Sequence, residues 1–244
     1  MSRYWNNNNF WINVGSHNIF NCLKFIGDEH SFEEILNATK LKIVNKTEDK
    51  TDIKNRNLTM LIDAWLEVKR IILEKKSEMK KNKSSYPHCK VFDYKELYLI
   101  LNKDARVYDL FLIENKREDN DVYMALSGIL KKVQTLKNYQ EIILEFSIFL
   151  HENYVKGTFG SNTKLFCWFL LQMVLIFKGF GPIITLPENY IEMAEIISIS
   201  NSLNEEILHL KQREWIEGEN FKKLTNLWIL KSEEYLKHIK KNYA

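Results

Sequence analysis

The sequence predicts a mostly α-helical single domain built around one buried central helix, with a small β-hairpin flap beside it. Three observations carry that prediction. An almost wholly apolar run, Leu165 to Phe177, lies between a polar turn (Gly157 to Thr163) and Gly179. Apolar residues at Leu58, Leu61, Ile62, Trp65, Val68, Ile71 and Ile72 recur at the spacing of one helix face. Among 244 residues there are only 8 Gly and 3 Pro, too few turn formers for a many-stranded sandwich or barrel.

Residues 1–55 read as an irregular N-terminal arm, rich in Asn and aromatics, with one short helix around Ser31 to Ala38. Trp5 and Trp11 bracket a run of asparagines, which suits an arm packed on its own core or an anchor on a partner. Residues 56–200 read as the helical core. Asn57 can cap the long helix that begins at Leu58, and Pro87 closes its lysine-rich tail. Asp93 can cap a second helix carrying Leu97, Leu99, Ile100 and Leu101. Two short apolar runs, Leu110 to Ile113 and Val122 to Met124, flank a charged turn and predict the hairpin flap near 109–125. Helices follow over Ala125 to Thr135 and Tyr139 to Tyr154. The central helix, from about Thr163 to Lys178, is apolar all round and must be enclosed by other helices. Gly179 stops it, and Gly181-Pro182 turns the chain away. Pro187 starts the next helix, with Tyr190, Ile191, Met193, Ala194 and Ile197 expected to face inward. Residues 201–244 supply C-terminal helices that pack on the core.

Composition narrows the function. A formal charge of +3 is weak evidence for a polyanionic partner, and the one dense lysine stretch, 74–83, also holds acids and reads as a solvated helix end, so no nucleic-acid partner is expected. Leu165 to Phe177 is shorter than the roughly 18 residues a span requires, so no membrane span is expected. Cys22, Cys89 and Cys167 are odd in number and unclustered, which suits reduced thiols. With no apolar segment of signal type at the N-terminus, a cytoplasmic location is the expectation. His88, Cys89 and Asp93 lack a second pair of ligands, and no metal site is expected there.

The start of the central helix is the place where chemistry is conceivable. First-turn amides lack intrahelical acceptors and carry a partial positive charge. Gly157 and Gly160 allow close backbone approach, Ser161, Asn162 and Thr163 can cap or donate to an anion, and Lys164 adds a full charge. Gly160, Ser161, Asn162, Thr163 and Lys164 are therefore the candidate phosphate-binding residues. An ordinary capped helix uses the same residue types. Neither a Walker loop nor a zinc-protease helix fits: no Gly directly precedes Lys164, no Ser or Thr directly follows it, and Val155 stands where the second His belongs.

The element order resembles the Fic (filamentation-induced-by-cAMP) family, most of whose members transfer AMP from ATP to a target hydroxyl. The likeness covers roughly residues 58–200: a long helix, the flap "LFLIENKREDNDVYMA", a helix ending in "FLHENY", a short loop with Phe, the buried helix, and the exit "GFGPIITLPENYIEMAEI". The family motif is His-Pro-Phe-x-Asp/Glu-Gly-Asn-Gly-Arg with a further Arg three residues on. Ungapped counting sets Phe159 on the family's Phe. The base position then falls on Gly157, the magnesium-binding acid on Ser161, and the arginines on Leu165 and Trp168. A one-residue slip instead sets Asn162 on the family's Asn and Lys164 on its first Arg. An insertion would be needed to bring His151 into the base position.

The resemblance implies ATP and magnesium as ligands and a protein target or regulatory protein as partner, yet the general base and the charge-stabilising arginines are missing. Three readings follow. One is a Fic-like protein with a degenerate motif, non-catalytic or weakly catalytic, that binds a partner and a nucleotide phosphate. Another is an active AMP (nucleotidyl) transferase using His151 as catalytic base with Asn162 and Lys164. The third is a helical protein-interaction module without ligand. The side on which His151 lies decides between the first two.

Overall fold

The computed structural model describes residues 4–45, 55–83, 90–102 and 121–243, and the described residues form helices joined by turns and extended pieces, with no strand among them. Among the described residues ten α-helices follow one another: α1 (Asn8–Phe25), α2 (Phe32–Asn45), α3 (Arg56–Asn82), α4 (Lys95–Leu101), α5 (Asp121–Thr135), α6 (Tyr139–Lys156), α7 (Thr163–Lys178), α8 (Tyr190–His209), α9 (Gln212–Glu217) and α10 (Glu219–Tyr243). Short 3-10 turns precede α1 and α4.

The apolar run forms α7, and it is enclosed as its all-round apolarity requires. Leu165 to Met173 are all buried, together with Leu175 and Ile176. Helices α3, α4 and α6 pack on it, while α1 and α10 reach it through aromatic contacts at Trp168. Gly179 ends it in a left-handed conformation (φ 86°), and its N–H closes back onto the carbonyls of Ile176 and Leu175. The seven apolar residues predicted along α3 are all buried.

Three expectations are revised. Among residues 4–45 the expected irregular arm is instead helical: α1 is an 18-residue helix whose residues from Phe10 to Leu23 are nearly all buried. Asn7 caps it by accepting from Asn9 N–H at 2.9 Å, so the asparagine run opens a helix. Trp11 is sealed in the core, with its indole donating to the Trp5 carbonyl. The arm packs on its own chain. The second apolar run of the expected hairpin is also helical, because Val122 begins a stripe that continues through Leu126, Ile129, Leu130 and Val133 at helical spacing. The first run, Leu110 to Ile113, lies outside the described residues. Finally, the inward stripe of α8 is Met193, Ile196, Ile199 and Leu203, whereas Tyr190, Ile191 and Ala194 face outward.

Two capping assignments also move. Asn55 rather than Asn57 caps α3, accepting from Asn57 N–H and Leu58 N–H, while the Asn57 amide group donates to Asp28. Asp93 accepts from Lys90 N–H within the 3-10 turn ahead of α4.

The segment leaving α7 is extended yet joins no sheet. Two buried side-chain amides take the place of a neighbouring strand. Gln172 donates to the Ile183 carbonyl and accepts from the Ile183 N–H, both at 2.8 Å. Asn21 does the same for Thr185, at 2.8 and 2.9 Å. Each residue thus satisfies a backbone donor and acceptor that would otherwise be buried without partners. Gln172, the one polar residue inside the apolar run, is there to hold the exit segment.

Candidate functional site

The polar turn between α6 and α7 is built as the sequence suggests. Gly157 takes a left-handed conformation (φ 63°) at the end of α6, and Gly160 does so again (φ 82°) before α7. An L side chain rarely occupies this region, which explains both glycines. No Cβ clash constrains Gly157, where an added methyl would meet open space.

The donors of the turn are largely consumed within the fold. Asn162 N–H donates to Asn102 Oδ1 at 2.9 Å, and the Asn162 amide group donates to the Leu101 carbonyl at 2.5 Å. Thr163 Oγ1 accepts from Phe159 N–H at 3.1 Å and donates to the Gly160 carbonyl at 2.7 Å. The N–H groups of Gly160 and Thr163 donate to Gly157 and Gly160 carbonyls. Tyr98 Oη donates to the Phe159 carbonyl at 3.0 Å, and the Phe159 ring is wholly buried against Phe149 and Phe166. Of the five predicted phosphate-binding residues, Ser161 is exposed, Gly160, Asn162 and Lys164 are half-buried, and Thr163 is buried. The turn is pinned to the end of α4 by side-chain bonds that an anion would have to displace.

Lys164 does not reach over the turn. Its ammonium lies 5.3 Å from the centre of the Phe25 ring and 5.4 Å from that of Tyr154, in cation–π contact with both. Burial pushes its pKa down to about 8. Lys164 therefore belongs to a pocket between α1, α6, α7 and α10 rather than to the polar turn.

His151 is fully buried in the last part of α6. Its Nδ1 lies 2.8 Å from the Ser147 carbonyl, an acceptor only, so this nitrogen carries the proton. The ring stacks on Trp228 of α10 at 5.8 Å and 29°. The other nitrogen, Nε2, has no partner and no solvent exposure. Burial, assisted by the nearby Lys164 charge, lowers the pKa to about 4, so the ring is neutral near pH 7. A general base must reach the hydroxyl it deprotonates. This imidazole faces the α6–α10 interface, away from solvent.

The residues at the turn do not fit magnesium either. Hard divalent cations take oxygen ligands led by carboxylates, and the turn from Gly157 to Lys164 contains no Asp or Glu. Among the described residues no three His, Cys, Asp or Glu side chains converge on a common point.

Sequence reasoning missed Asn102, which bonds to the turn from 60 residues away. It follows the short helix α4 and carries no local signal of that contact. No protein-family model matches this sequence, and no match is found among curated proteins or solved structures.

Proposed function

We propose that this chain is a non-catalytic helical binding protein, a degenerate relative of the Fic family in build, whose work is contact with a protein partner. The observation that carries this reading is the position of His151. The only candidate base of the motif region has its protonated nitrogen on the Ser147 carbonyl and its ring on Trp228, with no path to a substrate. The family likeness rests on element order: α3, the helix α6 that contains His151, the turn with Phe159, the buried α7 and the Gly181-Pro182 exit.

Two further features support the reading. The polar groups of Asn162 and Thr163 are spent on Asn102, Leu101 and the turn's own backbone, which favours a structural over a phosphate-binding role for them. Two large side chains, Tyr190 and Ile191, stand 70% and 69% exposed side by side at the start of α8, on a helix whose inward face is already filled. Adjacent exposed apolar groups on a rigid element are what a partner surface uses.

The test has two arms. Incubation with labelled ATP, magnesium and candidate proteins is expected to transfer no label, and calorimetric titration with ATP is expected to give no binding heat. Label transfer that disappears in His151→Ala would overturn the proposal. In the second arm, Ile191→Glu should keep the helical circular-dichroism signal and lose a partner that the unaltered protein retains.

A further inference from the structure

The pocket that Lys164 lines is a separate feature, and the binding role proposed above does not depend on it. Its floor is formed by the buried side chains of Cys22, Leu150, Trp168 and Trp228, and its mouth by the partly exposed Phe25 and Lys164. The four helices α1, α6, α7 and α10 each supply a wall. Nothing else in the lining carries a charge.

Lys164 is withdrawn into this pocket without an acid beside it. The buried Lys231 is bonded to Glu192 and Glu234, and the buried Lys75 to Glu78 and Asp93. Lys24, Lys76 and Lys178 also lack a carboxylate among the described residues, resting on aromatic rings or backbone carbonyls, but none of them lines this pocket. Lys164 has aromatic rings and no carboxylate among the described residues. Burial alone accounts for its lowered pKa of about 8, with no acid opposing it. A cation withdrawn from water without a partner is costly, and an anion placed beside it in apolar surroundings recovers that cost. Lys164 also sits in the first turn of α7, where the peptide dipoles favour negative charge.

We infer that this pocket binds a short aliphatic monocarboxylate, with the carboxylate on the Lys164 ammonium at the mouth and the hydrocarbon tail on the Cys22, Leu150, Trp168 and Trp228 floor. The size of the cavity selects the tail. Its volume is about 50 Å³. A dry cavity of about 150 Å³ admits benzene, so this one takes roughly two or three carbons. The single cation selects the head: a carboxylate brings one charge to one ammonium, whereas a phosphate dianion would leave its second charge against an apolar wall.

Butyrate is the probe, followed by ligand-observed NMR and compared with 1-butanol, butylamine and inorganic phosphate on the intact chain. Butyrate is expected to bind at least roughly tenfold more tightly than each of the other three, the scale of one charge-assisted contact. Lys164 is mostly protonated at neutral pH and mostly neutral well above its pKa of about 8, so butyrate affinity should fall several-fold as the pH is raised through that value. Lys164→Met should remove the preference for butyrate over 1-butanol. Cys22→Met, which fills the floor and leaves Lys164 in place, should weaken butyrate and leave the helical signal intact. The inference is overturned if butyrate does not bind. It is equally overturned if 1-butanol or phosphate binds as tightly, or if butyrate affinity is unchanged by alkaline pH. Should Lys164→Met fail to fold, the pH series on the unaltered protein gives the same decision.

Discussion

The two ends of α7 are both marked by glycines, and they use them for opposite reasons. At the leading end, Gly157 and Gly160 have positive φ, and an added Cβ on Gly157 would touch nothing within 4 Å. Those glycines are there for backbone freedom. At the trailing end, Gly179 also has positive φ, but Gly181 does not. A Cβ on Gly181 would stand 2.0 Å from the Ser232 carbonyl oxygen and 2.7 Å from the Leu236 nitrogen, both backbone atoms of α10. Ser232 Oγ completes the contact by donating to the Gly181 carbonyl at 2.5 Å. The end that looks functional in sequence is a turn whose glycines answer to backbone conformation, held from α4 by side chains rather than by backbone pressed on backbone. The end that reads as punctuation is where two distant segments are pressed together.

The largest expected effect tests the trailing end. Gly181→Ala pushes a methyl into helix backbone, which cannot rotate aside, and should cost about 3 kcal/mol or more. Urea denaturation would show it as a fall in midpoint. A change under about 1 kcal/mol would mean that α10 moves away easily, and the contrast between the two ends would collapse.

Next in size is a pH effect at the approach to the leading end. His151 has a folded pKa of about 4, below its ordinary value of 6.5. Between those values the unfolded chain takes up a proton that the folded chain refuses. Its contribution is therefore fully present above pH 6.5 and is lost as the pH falls toward 4. At about pH 4.5 the loss should reach roughly 2–3 kcal/mol. His17, also lowered to about 4 by burial and by His238, adds to the same acid sensitivity. His151→Phe keeps an aromatic ring against Trp228 and should flatten the stability profile over this range. An unchanged profile would mean that the ring has access to water, and the enzymatic reading would return.

Asn102→Ala is a smaller perturbation. It removes the acceptor of Asn162 N–H and should cost about 1–2 kcal/mol. The variant also asks whether the turn can bind anions once unpinned. If sulfate restores the loss, the freed amide is an anion site held shut by Asn102; no recovery is expected, because Asn162 stays tied to Leu101.

Smallest is Gly157→Ala, limited to the strain of an L residue at positive φ, about 1 kcal/mol, as read by thermal melting. Gly157→Asn should cost less still. A loss comparable to that of Gly181→Ala would place an unseen contact at the turn.

Much of the architecture was legible because it depends on local periodicity. The apolar stripe of α3, the unbroken run of α7 and the left-handed stop at Gly179 are each encoded within one turn or two of the chain. The errors also share a cause. Val122 to Met124 was too short a window to separate strand from helix, and only the continuation to Val133 shows the helical period. The asparagine run ahead of Phe10 concealed a cap. On α8, two stripes one residue out of register are both apolar in the sequence, and packing on α10 chose the one through Met193 and Leu203.

The sequence by itself determined that this protein would be helical, where its longest helices lie, and that a wholly apolar helix would form its centre. Those properties follow from side-chain spacing and backbone preference, which act between neighbours. The tertiary structure alone decided what the polar and charged residues do. His151 turned onto Trp228, Asn102 reached across to the turn, Gln172 took the place of a strand for Ile183, and Lys164 left the turn for an apolar pocket. The partner of a polar group is set by which helices come to lie beside it, and no spacing along the chain encodes that.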